Sequence, residues 1–136
     1  MTQWEEVFTK GFAPIMSDKE LECLRDALIN DSIELLQGQT TSPDLLDCIQ
    51  YWPCKGACAI AYAGWKGQNL NLLKEVEEYF SKLCFECDKF FDEPAICRHF
   101  LNWFDDTARS EVKSQLVPTI NRILNDRFKQ NRDFHA

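Results

Sequence analysis

Apolar positions recur along most of the chain at steps of three and four residues, the period of a helix that turns one face to a core. The clearest run is Leu73, Val76, Phe80, Leu83, Cys87 and Phe90, which predicts a long amphipathic helix reaching about Phe91, capped by Asn69 or Asn71. Leu21, Leu24, Leu28 and Leu35, widened by Ile29, Ile33 and Leu36, predict an earlier helix from the Ser17-Asp18-Lys19-Glu20 capping box to Gly38. A second box, Thr2-Gln3-Trp4-Glu5, starts a short helix over about 3–10 that Gly11 ends. Ser42 and Pro43 open a helix over Asp44 to Tyr51, stopped by the Trp52-Pro53 step.

Residues 57–64 read two ways. Cys58, Ile60 and Tyr62 alternate with alanines at strand period, but alanine favours helix, and the helical reading implies a central element with neighbours pressed against its small residues. Asp92-Glu93-Pro94 opens an aromatic helix carrying Ile96, Phe100, Leu101, Trp103 and Phe104. Val112, Leu116, Ile120, Ile123, Leu124 and Phe128 then keep one phase across Pro118, which predicts a kinked helix or a restart near Ser114, with a frayed tail over 130–136. The expected fold is all-α: a single-domain bundle of six to seven helices, covering 1–136, around a central small-residue helix and a long amphipathic one.

Composition narrows the function classes. With 136 residues, 45% of them hydrophobic, the chain can bury a core without staples. Its net charge of -7 argues against nucleic-acid or membrane binding by general attraction, and no apolar run is long enough to span a bilayer. The N-terminus lacks a basic segment followed by an apolar core, which predicts a cytoplasmic protein. The cysteines number seven, an odd count that cannot fully pair, so reduced thiols are expected.

Candidate chemistry is sparse. Cys84-Phe85-Glu86-Cys87, followed by Cys97 and His99, offers three thiolates and an imidazole of the kind tetrahedral zinc takes, although Cys87 also lies on the apolar seam, where cysteine packs as a small hydrophobe. Cys54 and Cys58 stand one helical turn apart near an expected helix start, whose dipole would lower the Cys54 pKa and make it the candidate reactive thiol. Of the two histidines, His99 has no fixed partner in sequence and His135 lies in the tail. No glycine-rich phosphate loop, H-E-x-x-H pair, nucleophile elbow or E-x-x-H motif occurs, so neither catalysis nor a cofactor is expected.

Three tryptophan-bearing turns stand out: Trp52 with Lys55, Trp65 with Lys66, and Trp103 followed by Arg109. Such rings either plug the bundle ends or form a binding surface. Acidic stretches at 18–34 and 74–93, the latter with Glu75, Glu77 and Glu78, face a locally basic C-terminal stretch, which suits a basic protein partner or self-association. The first functional expectation is therefore a helical protein–protein interaction module. The alternatives are a zinc, iron–sulfur or redox protein built on these cysteines, and a small-molecule pocket among the aromatic helices.

Overall fold

The computed structural model describes residues 1–135. Among them, six α-helices and one two-residue strand pair form the predicted all-α bundle. The chain starts as α1 (Gln3–Glu6), widens into a π-turn (Val7–Phe12) and tightens into a 3-10 turn (Ala13–Ile15). The helical path thus continues beyond Gly11, which is a close contact and not a stop: a Cβ there would strike the Cys87 Sγ and come within 2.9 Å of the Phe91 ring. Trp4, Phe8 and Phe12 descend this segment into the core against Phe100.

The Ser17 capping box forms as read. Its hydroxyl oxygen accepts from the Glu20 amide at 3.1 Å and its O–H donates to the Glu20 carboxylate at 3.0 Å. The helix it opens, α2 (Asp18–Ile29), stops well short of Gly38. Asp31 takes a left-handed φ of 50°, and the Ser32 and Asp31 amides donate back to Ala27 and Leu28, a Schellman ending that overrides the apolar period beyond it. Ile33 is consequently exposed, and Leu36 lies in extended chain that exchanges hydrogen bonds with Ala57.

Ser42 does not cap a helix either. Thr41–Ser42 (β1) pairs antiparallel with Gly56–Ala57 (β2), and the expected helix over 44–51 reduces to a 3-10 turn at Asp47–Ile49. The strand uses Ser42's backbone, its carbonyl accepting from the Lys55 amide at 2.8 Å.

Helix α3 (Ala59–Gly67) is the central small-residue element, buried from Ala59 through Trp65 and packed between α2 and α4 (Leu73–Phe91). Its glycines set how closely the neighbours approach. A Cβ on Gly64 would overlap the Tyr79 ring of α4, and one on Gly67 would lie 2.7 Å from the Glu20 Cα of α2. Helix α4 buries Leu73, Val76, Leu83 and Cys87 of the predicted seam, half-buries Phe80 and exposes Phe90. Leu72, not an asparagine, precedes its first turn, and the Glu75 carboxylate reaches back to the Leu72 amide at 3.1 Å.

The aromatic helix begins later than read, as α5 (Arg98–Asp106). Helix α6 (Arg109–His135) runs unbroken through Pro118 and lies along α2, burying Val112, Leu116 and Ile120; it also takes up the segment from 130 read as a frayed tail. Among the described residues, no helix is long and apolar enough to cross a membrane.

Candidate functional site

The first turn of α4 has amides that need acceptors, and the preceding loop supplies them. Leu73 and Lys74 N–H donate to the Trp52 and Gln50 carbonyls, each at 2.9 Å, while the Cys54 amide donates to Asn71 O at 2.8 Å. Within the loop, the Trp52 amide donates to Ile49 O at 2.9 Å, and the Ile49 side chain packs against the core. The backbone of 49–55 is therefore fixed to both α4 and β1. Its large apolar side chains are nonetheless outside: Leu45 is 40% exposed, Leu46 58%, Tyr51 64% and Trp52 56%. Lys55 beside them is exposed as well.

Lys74 joins this loop to a groove. Its ammonium stands 5.8 Å from the Tyr51 ring centre and 3.9 Å from the Glu78 carboxylate. The groove, about 630 Å³, runs along α4 between Glu75, Glu78, Lys82 and Glu86, with Ile15, Leu70, Gln68 and Leu83 as the remaining walls. Tyr79 also lines it, and its hydroxyl donates to Glu20, which is buried and also accepts from Gln68 Nε2 at 3.3 Å. Burial pushes the Tyr79 hydroxyl pKa up, and the bond to Glu20 raises it further. With Ser17 as a third donor, Glu20 is fully engaged: it locks α2, α3 and α4 together.

The remaining sequence candidates are distributed as follows. Trp65 is buried edge-on to Tyr62, with the Lys66 ammonium 3.9 Å above its ring and also 3.4 Å from Glu34. Trp103 stacks on Trp4 at 3.7 Å. The Arg109 guanidinium donates to Leu35 O and to Gln37 Oε1 at 3.2 Å, and burial lowers its pKa. Glu75 serves its own helix, and Glu77 accepts from the Thr41 hydroxyl at 2.7 Å. Trp52 and Lys55 are thus the partner-binding candidates left on the surface without a side-chain partner among the described residues, while Glu78, paired only with Lys74, and Glu75 keep their exposed carboxylates along the groove. Sequence reasoning passed over Leu45 and Leu46, although two leucines between prolines, in a segment too short to reach the core, were a signal for them. It also passed over Lys82 and Glu86, whose groove depends on tertiary packing.

Cys54 does not sit at the start of α3, whose N-cap is Cys58. Cys54 is buried, its S–H donates to Gly56 O at 3.3 Å, and burial raises its pKa where the dipole argument expected a lowering. Burial pushes Cys58 and Cys87 up to about 12. Cys84, Cys87, Cys97 and His99 do not converge as a set of four. His99 Nε2 pairs with the Gln3 amide nitrogen at 3.1 Å, Cys87 packs beside Gly11, and among the described residues no three histidine, cysteine or acidic side chains gather in an arrangement that could hold a metal ion.

Neither a protein family, nor a curated protein, nor a solved structure matches this chain. The site must therefore be interpreted from its own chemistry.

Of the aromatic rings on α1, the π-turn after it and α5, Trp4, Phe8, Phe12, Phe100 and Trp103 are spent on one another. A smaller recess of about 220 Å³ is lined by Cys58, Phe80, Leu101 and Phe104 with Arg98 and Asp105.

Proposed function

We propose that this protein is a protein–protein interaction module that takes a basic segment of its partner, acting by binding and not by catalysis. The observation that carries this reading is the loop at 45–52, where four large apolar side chains stand in solvent and two of them, Tyr51 and Trp52, lie on a backbone already fixed by hydrogen bonds. Exposed apolar groups on a fixed backbone lose little conformational entropy on binding, which is how a few anchor residues come to dominate an interface. The charge of the partner follows from what adjoins the loop. Through Lys74, the patch continues into a groove whose carboxylates Glu75, Glu78 and Glu86 outnumber its single lysine, and the chain as a whole is at -7. A segment with an apolar anchor followed by lysines or arginines matches both parts.

The test is a photo-crosslinking amino acid at position 52 of the full chain, expressed in its native cells, with the adduct mapped by mass spectrometry. The expected result is a discrete adduct to a net-basic peptide, strongly reduced by Glu78→Lys with Glu86→Lys. No adduct from position 52, or an adduct to an acidic peptide that ignores the charge reversal, contradicts the reading.

A further inference from the structure

Where α4 meets α5, two thiols are brought together by a clamp that neither helix makes alone. The Asp88 carboxylate accepts from the Ala95 amide at 3.0 Å and from the Cys97 amide at 2.9 Å, fixing the residue that opens α5 against α4 one turn beyond Cys84. The same clamp brings Cys97 to the face of α4 that carries Cys84, where the two thiols perturb one another. Cys87, the other half of the C-x-x-C pair, is fully buried beside Gly11. Cys97 is buried while Cys84 is half-buried, so a small oxidant has access from the Cys84 side.

We propose that Cys84 and Cys97 are a redox modification site, forming a reversible intramolecular disulfide on exposure to a hydroperoxide. The reaction balances in two steps. The Cys97 sulfur attacks the peroxide, forming an S–O bond as the O–O bond breaks, and the departing oxygen takes the Cys97 proton and leaves as water from hydrogen peroxide or as the alcohol from an organic hydroperoxide. The Cys84 sulfur then attacks the Cys97 sulfenic acid, the S–S bond forms, and the S–O bond breaks to release a water that carries the Cys84 proton. Two thiols are oxidised by two electrons and one peroxide is reduced. The order of attack follows from the asymmetry of the pair: the neighbouring Cys84 holds the Cys97 thiol below its ordinary value, while Cys97 and burial hold Cys84 above it.

The experiment uses the full, reduced chain treated with hydrogen peroxide near neutral pH, followed by alkylation of remaining thiols, trypsin and mass spectrometry. Cleavage after Lys82, Lys89 and Arg98 yields peptides 83–89 and 90–98, and the first contains both Cys84 and Cys87, so fragment ions decide between them. The expected product is the joined pair, bridged at Cys84 with Cys87 alkylated, lost on dithiothreitol treatment and absent from Cys84→Ser. Recovery of Cys84 and Cys97 as alkylated thiols under conditions that oxidise the exposed Cys48, or a bridge through Cys87, overturns the proposal. Because the wild-type protein alone gives the decisive peptide map, a variant that folds poorly does not obscure the result.

Discussion

The three-helix junction around Tyr79 and the loop from Pro43 to Pro53 are both held by hydrogen bonds, yet they send their large side chains in opposite directions. At the junction, glycines on α3 admit the Tyr79 ring and the Glu20 backbone, and every polar group there has a partner inside the protein. In the loop, the backbone from Ile49 onward is tied to α4 and β1, but Leu46, Tyr51 and Trp52 remain in solvent. A floppy segment could expose such groups by default. A segment fixed to α4 and β1 exposes them persistently, which is what distinguishes a presented surface from an unfinished core.

Substitutions should separate the two regions sharply. The largest loss is expected from Gly64→Ala, whose methyl would overlap the Tyr79 ring: overpacking at about 3 kcal/mol by urea denaturation, despite alanine's better helix propensity. A neutral or stabilised variant would mean that the approach of α4 to α3 is looser than described. Tyr79→Phe should cost about 2 kcal/mol, because a buried carboxylate loses one of its donors. Glu75→Ala, which removes the reach back to the Leu72 amide, should cost about 1 kcal/mol and fray the first turn of α4. At the other end of the scale, Trp52→Ser should stay within about 0.5 kcal/mol of wild type, since the ring is mostly in water. A large destabilisation there would make Trp52 a core residue and remove the basis for a presented surface.

The buried thiols add a pH signature. Cys58 and Cys87 are raised from 9.0 to about 12 in the fold, so the unfolded chain releases these protons first as pH rises. Their stabilising share is complete below about pH 8.5, the ordinary thiol value, and is lost as pH climbs toward 12. Denaturation midpoints should fall over that window, and less steeply in Cys58→Ala.

What could be read from the sequence depended on whether the local pattern had a single tertiary answer. Alanines at 57–63 and the seam from Leu73 predicted α3 and most of α4, because burial on all sides and on one stripe leave different periods. The Ser17 box was legible because a cap acts within four residues. The expected helix overruns Ile29 because Ile33 and Leu36 fall by coincidence in helical phase, while the chain turns at Asn30-Asp31-Ser32. The helix expected over 44–51 failed because strand pairing claimed Ser42. Pairing of Glu20 with Tyr79 joins positions far apart in the chain, and no one-dimensional spacing encodes it.

The central claim is that the Trp52 loop and the adjoining acidic groove receive the partner while the glycine junction only supports them. Amide hydrogen exchange of the full chain, with and without the partner captured from position 52, tests it most directly. Binding should slow exchange over 45–52 and along the first turns of α4, and leave 59–67 unchanged. Protection confined to α6 or to the outer face of α2, with 45–52 unaltered, would contradict the account.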